Sequence, residues 1–244
     1  MTAGAALPFP KQPPAPVLLL NGVPLTPEPE GALWWPDQQT LLLADLHLEK
    51  GSAYARRGSF LPPYDSAATL SRLEQLLRRR PAQRVVCLGD SFHDTEGPAR
   101  LPQEETDRLH TLAAGRDWIW LAGNHDPAPP GPTPPDDGLG RVMEELVLGP
   151  LVLRHEARSG SVAGEISGHY HPKASVSHRL GRFTGRCFVH DGHRLILPAF
   201  GAYAGGLDVL APAIARLFPR GCSVHLPVRG RVHTFPHSAL RPVR

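Results

Sequence analysis

Residues 84–94 read RVVCLGDSFHD, an apolar run that ends abruptly in glycine, aspartate and histidine. A short run rich in valine, cysteine and leucine is typical of a strand that is buried on both faces. Such a strand does not need charged groups for packing, so Asp90, His93 and Asp94 stand out at its carboxyl end. We interpret residues 84–88 as a central strand and the polar residues after it as a candidate site.

Helical patterns separate three strand-like runs, at residues 41–43, 84–88 and 118–121. Residues 66–79 place four leucines on one stripe, and residues 103–114 begin with acidic side chains, which favour a helix N-terminus. Alternating strands and helices predict a parallel sheet with right-handed crossovers.

The second half of the chain shows short strand-like runs and hairpin turns instead. The runs are 151–154, 164–167, 186–190, 194–197, 223–228 and 231–235, with turns at 191–192 and 229–230. An apolar segment at 207–218 predicts one more helix. Together these patterns predict an α/β (α+β) protein with one mostly parallel sheet, one mostly antiparallel sheet and helices outside them.

Proline divides the chain into a domain and two irregular stretches. The 244 residues include 28 prolines, and the length suits one compact domain. Residues 1–16 are predicted to be a flexible Pro-rich N-terminus, and residues 127–138 are predicted to be a Pro-rich loop. Residues 17–244 then form the single domain.

Charge and cysteine content exclude several classes of protein. The formal charge of +3 permits DNA binding but is too small to demand it. Three widely spaced cysteines without a CxxC motif argue against a disulfide framework and against a thiolate zinc site. No signal sequence or membrane span is recognisable, so we predict a cytoplasmic protein without membrane contact.

Polar residues follow several of the predicted strands, and the carboxyl ends of such strands meet in one crevice. The candidate metal ligands are three Asp or Asn oxygens and four histidines: Asp45, His47, Asp90, Asn124, His155, His169 and His171. Oxygen and imidazole donors without thiolate suit Mn²⁺, Fe²⁺ or Zn²⁺, and the set is large enough for two ions. Each short motif is weak by itself, because turns also use Gly, Asn and Asp. The order DxH, GDxxH, GNHD, H, GHxH is far more specific.

The same motifs resemble those of a known superfamily. Residues 40–172 are similar to the calcineurin-like binuclear metallophosphoesterases. More closely, DLHLEKGSAYARRGSFLPPYD (45–65), GDSFHD, GNHD, ISGHYHPKA and LPAFGAYAGGLDV resemble the ligase-associated DNA damage response endonucleases, also called PdeM. This resemblance covers most of residues 17–228.

The resemblance implies a four-layer αββα sandwich of two mixed sheets flanked by helices. It also implies that Asp45, His47 and His171 hold one metal ion, that Asn124, His155 and His169 hold the other, and that Asp90 bridges them. A hydroxide shared by two ions, Mn²⁺ being the favoured metal, would attack phosphorus in line. His125 would protonate or stabilise the leaving oxygen.

One departure from the superfamily concerns the substrate. Many of its phosphoprotein phosphatases carry GDxxDR, in which the arginine grips a terminal phosphate. Here those two positions are His93 and Asp94. GDSFH is instead similar to the GDxFH of SbcD-type repair nucleases, in which this histidine contacts the substrate phosphate. A phosphodiester carries one charge fewer than a monoester, so the missing arginine is tolerable.

Three further residues are candidates for substrate binding. Arg56 and Arg57 follow the first motif closely and are predicted to clamp a phosphodiester backbone, although two solvated loop arginines are the equally open alternative. Tyr170 is predicted to stack on an unpaired base, against the alternative that its ring simply packs.

The sequence therefore predicts a metal-dependent phosphodiesterase that hydrolyses DNA, as an endonuclease on single-stranded or looped DNA in repair. The family resemblance implies functional association with a DNA ligase, a helicase and an exonuclease. The alternatives are a small-molecule phosphodiesterase or nucleotide pyrophosphatase with the same metals, and a non-catalytic scaffold that binds a partner protein.

Overall fold

A computed structural model describes residues 16–126, 139–160, 162–178 and 181–243 of the chain. The strands are β1 (Leu18–Leu20), β2 (Val23–Pro27), β3 (Leu33–Trp35), β4 (Thr40–Leu43), β5 (Arg84–Cys87), β6 (Asp117–Leu121), β7 (Arg141–Met143), β8 (Glu145–Leu148), β9 (Leu151–Arg154), β10 (Glu165–Ser167), β11 (Pro172–His178), β12 (Gly181–Arg186), β13 (Phe188–His190), β14 (Arg194–Ile196), β15 (Leu207–Asp208), β16 (Ser223–Val228), β17 (Arg231–Pro236) and β18 (Leu240–Arg241). The α-helices are α1 (Lys50–Arg56), α2 (Asp65–Arg79), α3 (Gly97–Arg100), α4 (Gln103–Ala113) and α5 (Pro212–Ala215). The Pro-rich stretches predicted at 1–16 and 127–138 lie outside the described residues, apart from Pro16.

The first sheet has the strand order β1-β2-β3-β4-β5-β6-β7. The strands β4 to β7 run parallel, so the predicted parallel core of β4, β5 and β6 is confirmed. The strands β1 to β4 add antiparallel pairs that the sequence analysis missed. The missed signal is Asn21-Gly22, a two-residue hairpin turn with both φ angles positive, at 48° and 80°.

The second sheet has the strand order β17-β16-β13-β14-β10-β9-β8. Only the pairs β14–β10 and β10–β9 are parallel. Its inner face packs on the inner face of the first sheet, where Leu42, Val86 and Ile119 belong to the same buried cluster as Leu153 and Ile166. The predicted sandwich of two mixed sheets is therefore confirmed.

The two outer faces of the sandwich are covered differently. Helices α2 and α4 cover the first sheet, with the leucine stripe of α2 fully or almost fully buried: Leu70, Leu73, Leu76 and Leu77. The second sheet is covered by short α5 and by a small third sheet of order β12-β11-β15, with β18 paired to β11. The fourth layer is thus partly β-structure.

Two local predictions for the second half are wrong. The helix predicted at 207–218 is reduced to α5, because Leu207 and Asp208 pair as strand β15 with Pro172 and Lys173. Pro212 also holds the residue before it in an extended conformation, which prevents a helix from running through that point. The strand predicted at 186–190 is broken, since β12 and β13 belong to different sheets.

No helix in the described ranges has the length and the apolar character needed to cross a lipid bilayer. The prediction of a cytoplasmic protein is not tested by this finding and stays a prediction.

One buried histidine of the second sheet makes the fold sensitive to acid. His225 on β16 is 3% exposed, its Nδ1 lies 2.9 Å from Thr234 Oγ1, and its Nε2 has no hydrogen-bond partner in the described structure. Burial, and then the nearby His190, lowers the pKa of His225 from 6.5 to about 4. The folded protein thus resists protonation that the unfolded chain accepts.

We expect the stability that depends on neutral His225 to be complete above pH 6.5 and to fall as the pH is lowered from 6.5 towards 4. The loss amounts to about 3 kcal/mol of unfolding free energy. Urea titrations over this pH range should show a smaller loss for His225→Gln. The control His233→Gln removes an exposed imidazole from the next strand and should retain the wild-type pH dependence. An unchanged slope in His225→Gln would contradict the assignment.

Candidate metal centre

The predicted ligands lie at strand ends of both sheets, on loops that hydrogen bonds tie together. Backbone N–H groups of Asp45 and His47 donate to the carbonyls of Gly89 and Asp90, at 3.2 and 2.9 Å, so the loops after β4 and β5 stay paired. The N–H of His169, which follows β10 in the second sheet, donates to both carboxylate oxygens of Asp45, each at 3.0 Å. The loops of the two sheets are thereby joined.

Most of these ligands have an unusual backbone conformation. Five are in the left-handed region, with φ values of 53° at Asp45, 45° at His47, 48° at Asp90, 70° at His169 and 46° at His171. Each such residue costs about 1 to 3 kcal/mol, and strain of this kind is concentrated at functional sites. All five lie in the loops that follow β4, β5 and β10, two or more residues beyond the last residue of the strand.

Two glycines are needed for the close approach of these loops. A Cβ at Gly89, where φ is 80°, would collide with the His155 ring, and a Cβ at Gly123 would collide with the backbone nitrogen of Asp90. The glycines of the GD and GN motifs therefore have a steric reason to be there.

The first group of donors consists of Asp45, His47, Asp90 and His171, whose ligand atoms all lie within 4.8 Å of one another. The Nε2 atoms of His47 and His171 are 3.1 Å apart, and His171 Nε2 is 3.6 Å from Asp45 Oδ1. Ligands on opposite sides of an ion with bonds of about 2.1 Å are about 4.2 Å apart. The spacing of this group fits one cation.

The second group consists of Asp90, His155 and His169. His155 Nε2 lies 3.4 Å from Asp90 Oδ1 and 3.1 Å from His169 Nδ1. The other nitrogen of His155, Nδ1, is 2.8 Å from the carbonyl oxygen of Leu88, which can only accept a hydrogen bond. Nδ1 therefore carries the hydrogen and Nε2 is free to bind a cation. Asp90 belongs to both groups.

The electrostatics of the site call for bound cations. Asp45 and Asp90 are 0% and 3% exposed, and their ion-pair partners among the described residues are histidines alone. Burial, and then His171 and Lys50, lowers the pKa of His47 from 6.5 to about 2, and burial also lowers the pKa of His169. Because burial keeps the imidazoles of His47 and His169 neutral, they do not balance the two buried carboxylates, and divalent cations fit the donor set.

His93 and His125 form a second pair of imidazoles beside the first donor group. Their rings stack with centroids 5.7 Å apart, and the His47 ring lies 5.6 Å from one and 5.5 Å from the other. His125 Nδ1 is 3.0 Å from the carbonyl oxygen of His93, and the backbone N–H of His125 donates to Asp90 Oδ1 at 3.0 Å. The backbone thus engages Nδ1 of His125, and Nε2 is the ring nitrogen that remains available for other contacts.

Asp126 is a structural part of the site that the sequence analysis did not assign. Its carboxylate accepts backbone N–H groups from Ser91, Phe92 and Gly123, at 2.8, 3.1 and 3.0 Å. Burial raises the pKa of Asp126. The last residue of GNHD thus fastens the loop after β5 to the loop after β6. In the sequence, the only indication of this role was the position of Asp126 directly after His125.

The remaining predicted residues differ in their surroundings. Asn124 is exposed at the turn after β6, and its role as a ligand stays a prediction. Arg56 at the end of α1 forms an ion pair with Glu96, and both side chains are more than half exposed. Burial, and then Lys50, lowers the pKa of His93, and Arg57 lies close enough to that imidazole to add to the effect. Tyr170 is 7% exposed within an apolar cluster that it shares with residues of the second sheet, the third sheet and α5, and this burial argues against stacking on a base.

A family model for calcineurin-like phosphoesterases matches residues 39–194, which contain both donor groups. The chain belongs to this family. As a calcineurin-like phosphoesterase it is a hydrolase of phosphoesters, and the superfamily resemblance stated for residues 40–172 is confirmed.

Two solved structures are similar to this chain, and the first of them supports the fold. A nuclease from Pseudomonas putida, MPE, is 28% identical and superposes with a TM-score of 0.67, over 90% of this chain and 99% of that one. YfcE, a phosphoesterase from E. coli, is 15% identical with a TM-score of 0.38, over 81% of this chain and 98% of that one. A comparison with curated protein sequences gave no significant match.

The buried negative charge of Asp90 allows a test of metal binding. We expect Asp90→Asn to melt at or above the wild-type temperature without metal, because the amide removes a buried charge and its oxygen can still accept the His125 N–H. We expect Mn²⁺ at 100 times its Kd to stabilise the wild type by about 2.7 kcal/mol, and we expect this gain to disappear in Asp90→Asn. Melting curves with EDTA and with Mn²⁺ measure both effects.

Asp117→Asn is the matched control, since Asp117 pairs with Arg84 and Arg141 at 2.7 and 2.6 Å, on β6. It should lose stability in EDTA and keep the full gain from Mn²⁺. A wild-type gain in Asp90→Asn would contradict a shared role for Asp90.

Proposed function

We propose that this phosphoesterase is a metal-dependent endonuclease that cleaves phosphodiester bonds of single-stranded or looped DNA. The observation that carries the proposal is the His93–His125 pair beside the first donor group. It offers two imidazoles, and no arginine of the motif, to the substrate phosphate. Two imidazoles without an arginine suit the single negative charge of a phosphodiester.

The residue at the arginine position of GDxxDR supports a diester substrate further. Asp94 occupies it and accepts a hydrogen bond from Arg100 at 2.8 Å, and it also accepts the N–H of Glu96. A carboxylate at this position, paired here with Arg100, offers neither a positive charge nor a hydrogen-bond donor to the second negative charge of a phosphomonoester. The arginine nearest in sequence, Arg100, is held by Asp94 and Ser52.

The likeness to the Pseudomonas putida nuclease supports nucleic acid as the polymer. The two chains share 28% of their residues over nearly their whole lengths. The PdeM resemblance of residues 45–65 and of the later motifs points to DNA and to a repair setting. Association with a DNA ligase, a helicase and an exonuclease rests on that resemblance and stays a prediction.

The cofactor we propose is a pair of divalent cations, with Mn²⁺ favoured over Fe²⁺ and Zn²⁺. Asp45, His47 and His171 would hold one, His155 and His169 with Asn124 would hold the other, and Asp90 would contact both. Such cations, when bound, activate water as Lewis acids and neutralise charge on the phosphate. The mixed oxygen and imidazole donors suit all three metals.

The chain's own residues can supply a proton donor for the leaving group. The carbonyl oxygen of His93 orients His125 through Nδ1, and Asp90 fixes the backbone of His125. In its protonated form His125 can pass the Nε2 proton to the departing oxygen. His93 stacks on the same ring and, with Tyr54 5.6 Å away on α1, lines the approach to it.

Cleavage of circular DNA tests the proposal. The Mn²⁺-loaded protein should linearise circular single-stranded DNA, which has no ends for an exonuclease, and should also hydrolyse bis(p-nitrophenyl) phosphate. Asp90→Ala should lower both rates by at least 1000-fold, because both donor groups lose a ligand. Gel electrophoresis and absorbance measure the two reactions.

The two alternatives give different results in the same assays. Hydrolysis of the small ester with an intact circle would identify a small-molecule phosphodiesterase and overturn the endonuclease proposal. Failure of the metal-loaded protein on both substrates would favour the non-catalytic scaffold.

The two arginines after the first motif should contribute unequally to DNA cleavage. Arg57→Ala should raise the KM for DNA about three- to tenfold and leave hydrolysis of the small ester unchanged, because a polymer alone reaches past the metal centre. Arg56→Ala should have a smaller effect, since Glu96 already neutralises that side chain. Equal effects of the two variants on DNA would contradict this division.

A further inference from the structure

A large groove lies on the outer side of the second sheet, away from the candidate metal centre. It has a volume of about 950 Å³ and is bounded by β11 and β12 on one side and by the β16–β17 hairpin on the other. None of its lining residues belongs to the two donor groups. Four strand spacings separate β17 from β10 in the sheet, which is about 20 Å.

The lining combines aromatic and basic side chains. Phe183 from β12 and Phe235 from β17 are partly buried in it, and Arg229, Arg231 and His233 are exposed along its rim. The lining residues include no acidic side chain. Aromatic rings beside guanidinium groups are the chemistry by which proteins bind unpaired bases and their phosphates.

The charge of the chain is distributed very unevenly, and the groove lies in its basic part. Residues 166–244 contain ten arginines and one lysine against two aspartates and no glutamate, a net charge of +9, whereas residues 1–165 carry −6. The two acids are engaged elsewhere: Asp191 accepts the N–H groups of His193 and Arg194, and Asp208 accepts those of Leu210 and Val243. The total of +3 therefore conceals an excess of positive charge in the last third of the sequence, which includes the exposed Arg229 and Arg231 at the groove but also the buried Arg194, paired with Glu165.

One arginine at the rim occupies a position that is unfavourable for its backbone. Arg229 and Gly230 form the two-residue turn between the paired residues Val228 and Arg231, and the φ of Arg229 is 51°. Asn or Asp is the ordinary choice at the first position of such a turn. Arginine at this position therefore makes the turn less stable than asparagine would, and it places a guanidinium group beside the groove.

We propose that this groove binds single-stranded nucleic acid, as a second contact separate from the metal centre. Arg229 and Arg231 contact backbone phosphates, and unpaired bases stack on Phe183 and Phe235. An acidic peptide would use the arginines but would gain little from the rings, so the aromatic lining favours nucleic acid. The groove would hold a strand at a distance from the bond that is cut.

Fluorescence anisotropy with a labelled oligo(dT) tests the proposal on the full chain in EDTA, where no cleavage occurs. The double variant Arg229→Asn, Arg231→Gln should weaken binding at least tenfold at low salt. It should also reduce the slope of log K against log salt by about 1.4, the value for two single-strand phosphate contacts. Because asparagine suits the turn, the melting temperature should stay equal or rise.

The charge-matched control is Arg78→Gln, Arg79→Gln on α2, which covers the other sheet. It should change the affinity less than twofold. Equal losses of affinity in the two double variants would show that only the net charge of the protein matters, and would overturn the proposal that the groove binds the strand.

Phe183→Leu distinguishes bases from a general polyanion. It keeps the apolar packing and removes the ring, so oligo(dT) should bind about tenfold more weakly while polyglutamate binding stays unchanged. A different result would overturn the proposal and identify an acidic peptide as the ligand. In that case Phe183→Leu would not change the affinity for oligo(dT), and the wild type would bind polyglutamate as tightly as oligo(dT). Binding is read without cleavage, so this result is separate from failure of the endonuclease activity.

Discussion

The carboxylate of Asp90 is the point on which both halves of the site converge. Its Oδ1 accepts the N–H of His125 and lies 3.4 Å from His155 Nε2, and its Oδ2 lies 3.9 Å from His47 Nε2. These partners come from the ends of β4, β6 and β9, which belong to two different sheets. The donors can therefore meet only if the sheets pack with one relative placement, and the sandwich core provides it.

The site is maintained against an internal cost. Five ligands have left-handed backbones, and two buried carboxylates lie beside imidazoles of which His47 and His169 have pKa values lowered by burial. Such an arrangement persists only where the surrounding structure determines it, here through the cores on both faces of the first sheet and the hydrogen bonds between the strand-end loops. Bound cations would remove the electrostatic part of the cost, which is why metal binding and stability should be coupled.

Local patterns predicted the regular elements well and the irregular ones poorly. The leucine stripe of α2 and the three apolar runs of the parallel strands specify burial directly, and they appear as expected. The segment 207–218 has helical composition, yet Leu207 and Asp208 become a strand because β11 offers them an open edge. Tyr170 is a similar case: its place near the motifs suggested a base contact, but it packs in the apolar cluster between the second and third sheets.

The sequence alone determined which donors the protein carries, their order, and their positions at strand ends, since apolar runs and the residues that interrupt them are neighbours in the chain. It also determined the basic character of the last third. Only the tertiary structure decided that Asp90 is shared, that Asp126 fastens two loops, and that Phe183 and Arg231 line one groove. Those pairings join residues that are 30 to 125 positions apart, such as Asp45 and His169 at 124. They depend on how whole sheets pack, and no local spacing encodes that.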